Sequence, residues 1–287
     1  MDERAALSLV GDLLPSAGDD AAVVDDLVLT TDMLHDRTDF PEGTTRYTAG
    51  WRSVGASLSD VAAMGAQAVA VYAAPTFDEA ELRGFVQGAR DVCTAVDGTY
   101  VGGDLDGHDE FTVATTAVGR TGTPVRRAGA TPGQSVCVTG RLGRSGAGLR
   151  LFRSGEPERG NALFRFEPRL RAGRALADAG LAGAMLDSSD GLARSLHQLA
   201  DASGCGFAVD SAALPVDGAV DDVAESSEDR RELAVFFGED FELVFTTDDP
   251  DRARASVPVA VTDIGRVTDD GTVRMDGEVL PDRGYTH

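Results

Sequence analysis

The stretch TRYTAGWRSVGASLSDVAAMGAQAVAVYAA, residues 45–74, decides how the chain is read. Val54, Leu58, Val61 and Ala62 recur in it at spacings of three and four, the period of one helix face. Gly65 stands where a helix C-cap falls, so a helix is expected over Thr45–Met64. A buried strand is expected next, over Val69–Ala73. Upstream, two short β-rich runs flank Asp25-Asp26 between Ala21 and Asp32, the pattern of a hairpin. Downstream, a helix opened by Thr76 or Asp78 carries Leu82, Phe85, Val86, Ala89 and Val92. Thr99–Val101 then reads as a strand running into Gly102-Gly103-Asp104, and Glu110–Gly119 as a returning strand. Strands and helices in this alternation make an α/β unit.

The segment Gly119–Gly133 is rich in Gly, Pro, Thr and Arg and marks a domain boundary, placed at 124/125 to give domains 1–124 and 125–287. In the second half, strands are expected at Ser135–Thr139 and near Phe207, Leu243 and Val259. Helices are expected at Ser145–Arg153, Arg169–Ala179 and about Leu192–Ala202. The acidic Asp217–Arg230 reads as a solvated loop or surface helix.

The 287 residues contain 26 basic side chains, every one an arginine, against 48 Asp plus Glu, for a net charge of −22. Such a balance argues against a nucleic-acid partner, whose phosphates need a positive footprint, and against an anionic membrane surface. It fits a halophilic cytosol, where a hydrated acidic surface keeps a protein soluble in concentrated salt. Without lysine there is no P-loop lysine and no Schiff-base chemistry. Cys93, Cys137 and Cys205 lack any C-x-x-C spacing and read as buried free thiols. No basic segment followed by an apolar run opens the chain, and no stretch nears the about 18 apolar residues of a membrane span, so a cytoplasmic protein is expected.

Chemistry gathers in short aspartate motifs: Gly18-Asp19-Asp20, Thr30-Thr31-Asp32, Leu58-Ser59-Asp60, Gly102-Gly103-Asp104 and Asp187-Ser188-Ser189-Asp190-Gly191. Each sets a carboxylate beside glycine, serine or threonine, a dense oxygen environment suited to Mg²⁺ and, through it, to phosphates. Asp60 interrupts an otherwise apolar and small helix face, where a charge needs a partner. Asp104 has two readings, a tight turn with a solvated carboxylate or a metal ligand beside a phosphate. Asp187–Gly191 also has two: Ser189 or Asp190 as a helix N-cap, or an anion and cation site at a helix start. The Gly-rich Thr139–Gly148 lacks nucleotide-loop spacing and reads as a strand-to-helix turn. His35, His108, His197 and His287 show no zinc-hydrolase spacing, and no G-x-S-x-G elbow is present.

In this order and spacing the motifs resemble those of the thiamine-monophosphate kinases, within the superfamily of aminoimidazole ribonucleotide synthetase-like ATP-binding enzymes. Leu58–Gly65 and Gly238-Glu239-Asp240-Phe241-Glu242-Leu243 carry most of the resemblance, which runs from Gly18 to about Phe245. It implies an α/β (α+β) fold of two domains, PurM-like, with a mixed N-terminal domain whose sheet is completed in a homodimer and a C-terminal α/β domain. It implies transfer of the γ-phosphoryl of ATP to thiamine monophosphate, without a phosphoenzyme and without an acid–base side chain. By the same resemblance several Mg²⁺ ions are held by Asp20, Thr30, Thr31, Asp32, Asp60, Asp104, Asp187 and Asp190. ATP would be contacted by Gly103, Asp104, Arg127 and Ser189, and the acceptor by Asp39, Glu239 and Asp282. Asp39 stands where many family members have a histidine, and Asp282 aligns roughly with a family aromatic, with Tyr285 close by. The acidity suggests a haloarchaeal version. Two other readings share the scaffold: a different ATP-using relative, against which the lack of a C-terminal cysteine speaks, and a non-catalytic Mg²⁺/nucleotide-binding protein.

Overall fold

The computed structural model describes residues 13–14, 18–74, 79–105 and 110–285, and their strands form two sheets. The first has the order β1-β2-β5-β3-β4. β1 (Ala22–Val24) and β2 (Leu27–His35) are the expected hairpin, turned at Asp25 with φ of 56°. β5 (Thr112–Arg120) runs antiparallel to β2 from Leu27↔Arg120 to His35↔Thr112. β3 (Gln67–Ala74) continues the sheet antiparallel to β5, and β4 (Tyr100–Gly102) lies parallel to β3 at the edge. Alternate residues of β5 are buried, because one face of this sheet is covered by helices α1 (Arg46–Ala63) and α2 (Glu79–Ala95).

The second sheet has the order β12-β11-β8-β10-β6-β9-β7. Its strands are β6 (Ser135–Thr139), β7 (Met185–Asp187), β8 (Gly206–Val209), β9 (Leu243–Thr247), β10 (Val261–Thr268), β11 (Val273–Met275) and β12 (Glu278–Val279). β6, β7 and β9 are buried along their whole length. The site-forming helices of this half are α3 (Arg144–Arg153), α4 (Pro157–Phe164), α5 (Leu170–Asp178) and α6 (Leu192–Ser203).

Helix α1 joins the two halves. It packs on α2, on β2 and β5, and on α5 and β7 of the other half, and one hydrophobic cluster runs from Val28 and Leu58 to Met185 and Phe245. Thr45 caps it by accepting from Thr48 N, and Gly65 leaves it at φ of 66°. Such close packing needs glycine at the crossings. A Cβ on Gly50 would come within 2.1 Å of Phe85 O, and one on Gly88 within 2.0 Å of Tyr47 O. Gly173 of α5 meets Ala62 O in the same way, at 2.0 Å.

Where sequence and structure part, the reasons are local. α4 was not expected: of its eight residues only Gly160, Asn161 and Phe164 are buried, too short a run to show a period. For Asp217–Arg230 the surface-helix alternative holds, as two short helices, Gly218–Val223 and Ser227–Arg231, started by the side chains of Asp217 and Ser226. The strand expected near Val259 begins at Val261, and the small β11 and β12 were not anticipated. Thr76, Asp78, His108 and His287 lie outside the described residues. Cys93, Cys137 and Cys205 are buried free thiols, and burial pushes Cys93 and Cys137 up to about 12. No helix among the described residues is long and apolar enough to cross a membrane.

The α1–α2 crossing yields a stability prediction. Gly88→Val should lower unfolding stability by about 3 kcal/mol or more, since backbone and not a pliable side chain blocks the new carbon. Gly122→Ala, with nothing near its Cβ, should stay within about 0.5 kcal/mol of the parent. Urea unfolding of both variants checks it.

Candidate active site

The polar residues of α1 build the site. A helix buried on every side must satisfy each polar group internally. Ser57 Oγ donates to Asp32 Oδ2 at 2.5 Å and lies 2.6 Å from Thr115 Oγ1. Ser59 Oγ donates to Asp187 Oδ2 at 2.5 Å, which ties α1 to the end of β7. Asp60 accepts from Thr30 Oγ1 at 2.5 Å. Thr30 and Asp32 share the β2 face that meets α1. Thr31, one residue out of phase, bonds Thr116 Oγ1 at 2.8 Å on the exposed face.

Three of the expected carboxylates converge. Asp20, Asp60 and Asp187 each offer an oxygen within 4.8 Å of the others. Burial, then the charges of Asp32, Asp187 and Asp20, raises the Asp60 carboxyl well above its ordinary range. Burial and the neighbouring Asp20 push Asp187 up to about 7. Arg127 answers part of this charge, donating to Asp20 at 3.1 Å from its Nη2. Burial opposes its own charge, yet Asp20, Asp187 and Asp190 hold it above an ordinary arginine. One guanidinium beside a group of aspartates leaves an excess of negative charge, so the donor set fits a hard divalent cation.

Asp187-Ser188-Ser189-Asp190-Gly191 corrects the capping expectation. Gly191 is the N-cap of α6, with φ of 96° and ψ of 154°, and no side chain caps the helix. Only glycine takes that conformation readily, which frees Ser189 and Asp190 for other partners. Ser189 Oγ donates to Asp187 Oδ1 at 2.7 Å, and Asp190 accepts from Gln198 Nε2 at 3.1 Å. Gly103 and Asp104 are exposed just beyond edge strand β4, where Asp104 accepts from Leu105 N at 3.0 Å, outside the three-carboxylate group.

A cavity of about 440 Å³, which none of the three clustered carboxylates lines, is walled among others by Asp39, Arg52, Phe164, Phe237, Glu239 and Tyr285. Its backbone touches the carboxylate loop directly: Glu239 N donates to Ser189 O at 2.6 Å. Asp39 accepts from His35 N at 2.7 Å and Thr38 Oγ1 at 2.8 Å. Asp282 is not among the lining residues; it pairs with Arg194 at 3.2 Å and helps fasten the C-terminal strap. That strap, joined to Asp190 O through Tyr285 N at 3.0 Å, delivers the Tyr285 ring to the cavity wall. Burial, then Glu239 and Asp39, pushes its phenol up to about 12. Arg52 was missed by the sequence reading, although it interrupts α1 as Asp60 does and the same argument applied to it.

The family models for AIR synthase related protein match this chain at residues 18–121 (N-terminal domain) and 131–278 (C-terminal domain). Thiamine-monophosphate kinase of Halobacterium salinarum is 63% identical, covering 100% of both chains. That of Methanospirillum hungatei is 41% identical over 100% of this chain and 99% of its own. Among solved structures, AaThiL complexed with AMPPCP and TMP superposes with a TM-score of 0.89 at 28% identity, covering 100% of this chain and 97% of that one.

The position of Asp187 gives a pH signature. Its folded value of about 7 lies above the ordinary 3.8, so the stability it contributes is complete below 3.8 and is lost as pH rises through 7. In chelator, wild-type Tm should therefore fall more steeply between about pH 5 and about pH 8 than that of Asp187→Asn, whose side chain cannot ionise. Added Mg²⁺ should restore more stability at the upper pH, where the carboxylate is free to bind it. Parallel slopes for the two proteins would refute the assignment.

Proposed function

The chain belongs to the AIR synthase related family and, within it, to the thiamine-monophosphate kinases, and from that premise we propose that it phosphorylates thiamine monophosphate with ATP, giving thiamine diphosphate and ADP. One observation carries the reading at the level of chemistry: three carboxylates converge within 4.8 Å, and the loop that follows Asp187 is bonded through Ser189 O to Glu239 N in the wall of a cavity of small-ligand size. The two-domain PurM-like architecture of the family accounts for the two sheets, and we place the domain boundary at 124/125.

Two polyanions must be brought together in line, and the acceptor phosphate is already ionised at neutral pH. No general base is needed, so positioning and charge neutralisation suffice. Asp20, Asp60 and Asp187 would hold Mg²⁺, with Thr30, Asp32, Asp104 and Asp190 as further ligands as ions and phosphates enter; Thr31, whose side chain lies on the opposite face of β2, would take part only through its backbone carbonyl. The bound cations would supply neutralisation of the phosphate charge. The hydroxyls of Thr30, Ser59 and Ser189 fix the carboxylates by donating to them, leaving their remaining lone pairs for the metal. Arg127, Ser189, Gly103 and Asp104 would contact ATP. Asp39 and Glu239 would face the cationic thiazolium of the acceptor, and Asp282 would act on it through the strap that carries Tyr285. Use of ATP and thiamine monophosphate supports the reading of a cytoplasmic enzyme.

We extend the proposal to a homodimer formed through the open face of the first sheet. Val24 and Met33, 56% and 59% exposed, lie on the side away from α1, and Val101 of the edge strand is 59% exposed. An apolar sheet face of this kind is where a second copy fits. A net charge of −22 and a lysine-free surface support a halophilic setting for both fold and dimer.

Incubation with ATP, Mg²⁺ and thiamine monophosphate in concentrated KCl should yield thiamine diphosphate and ADP in equal amounts. Asp60→Asn should lower kcat about a hundredfold or more, as loss of a charge that organises the transition state does. ADP without the diphosphate would overturn the substrate. Sedimentation in the same buffer should give twice the chain mass, and Met33→Asp should halve it. A monomeric wild type with full activity would remove the dimer from the reading.

A further inference from the structure

Arg52 is the one basic residue of α1 that is fully enclosed, at 2% exposure. Its guanidinium carbon stands 4.4 Å from the ring centre of Phe164, 5.5 Å from Phe241 and 5.7 Å from Phe166. Its Nη1 donates to Phe164 O at 3.1 Å, and its Nη2 to Glu239 Oε2 at 2.7 Å and Glu239 O at 3.2 Å. The pair is asymmetric: the Arg52 side chain is 2% exposed and that of Glu239 14%. Both side chains line the cavity, and the carboxylate is the more exposed of the two.

The loop bearing Glu239 is held in an unfavourable shape. Glu239 and Phe241 have φ of 62° and 55°, left-handed values for side chains that seldom adopt them. Gly238 admits no Cβ, which would meet Ser189 O at 2.5 Å. Asp240 anchors the loop by accepting from Gly143 N at 2.5 Å and Ser145 N at 2.9 Å. Arg169 grips Glu242 with two bonds, of 2.7 and 2.6 Å. Ser145 Oγ donates to Glu239 O at 2.6 Å, and Arg52 adds the remaining contacts to the same carbonyl and carboxylate. Strain retained by this many anchors is characteristic of a binding site. A buried ion pair adds little net stability, so fold alone does not account for it.

We propose that Arg52 is a positioning residue, holding the Glu239 carboxylate in the cavity wall that Asp39 also lines, so that the two recognise the positive ring of the acceptor. Helix α1 also sets the spacing, since Asp60 follows Arg52 by about 12 Å along the same axis. One rigid element thus carries both the metal carboxylate and the support of the ring-binding carboxylate. The inference rests on thiamine monophosphate being the acceptor; since Arg37 and Arg153 line the same cavity, what it names is the local charge that the oriented Glu239 and Asp39 present to the ring and not the charge of the whole pocket.

Steady-state kinetics with thiamine monophosphate and with its neutral analogue, a thiophene in place of the thiazolium, test this. Wild type should favour the cationic acceptor in kcat/KM by about tenfold or more. Arg52→Met and Glu239→Gln should each raise the KM for thiamine monophosphate about tenfold, with the KM for ATP within about twofold, and should reduce the preference for the cation. Arg52→Lys should recover part of the preference. The double variant should be no worse than the worse single one, because the two side chains act as a unit. Equal losses toward cationic and neutral acceptors, or a parallel rise in the KM for ATP, would overturn the proposal. Should Arg52→Met fail to fold, Arg52→Lys, which keeps the charge and loses the two-pronged grip on Glu239, decides: an unchanged KM for thiamine monophosphate and an unchanged preference for the cation would overturn the proposal. A wild type inactive toward thiamine monophosphate would instead count against the function, and calorimetric binding of both compounds to wild type and Glu239→Gln would then decide the proposal.

Discussion

The rest of the structure depends on the burial of α1 on every side. A helix with no solvent face must satisfy its polar side chains internally, from its own backbone, as Ser53 does on Ala49 O, or from another element. Ser57 finds Asp32, Ser59 finds Asp187, Asp60 finds Thr30, and Arg52 finds Glu239. Every one of these partners belongs to the candidate site or to the cavity beside it. The helix that fills the core therefore also assembles the chemistry, by drawing residues from both sheets onto its own polar positions.

Electrostatics sets the cost of that arrangement. Asp20, Asp60 and Asp187 repel one another in a place with little water, and the raised values of Asp60 and Asp187 report that repulsion together with burial. The same three groups are an unfavourable cluster without a cation and a strong ligand set with one. All cations of the chain are guanidinium groups, and the structure uses them as planar donors: two parallel bonds from Arg169 to Glu242, and rings packed on Arg52. An ammonium would match neither geometry.

Much of this is legible in the sequence. The β1–β2 hairpin, α1 with its Gly65 exit, and β3 follow from period and punctuation because each is a local pattern. The aspartate motifs were visible too, and their order carried the family. What the sequence concealed was phase and distance. Adjacent threonines look equivalent in Thr30-Thr31-Asp32, yet the alternation of β2 sends Thr31 to Thr116 on the far face. Ser189 and Asp190 are good capping residues, but the backbone of Gly191 takes that place and releases them. Tyr285 reaches the cavity only because a strap of residues far along the chain folds back over α6, and no local pattern encodes that path.

The hydrophobic cluster shared by both sheets has a mechanical consequence. Val28 and Leu58 on one side and Met185 and Phe245 on the other belong to the same packed body, with α1 running through it. Rotating one half away from the other as a hinged shell would split that body and expose its interior to water. Substrate entry and product exit must then be handled by the margins, the strap and the loops around the cavity, while the central block stays closed. Turnover in such a protein is a matter of moving its rim and not its halves.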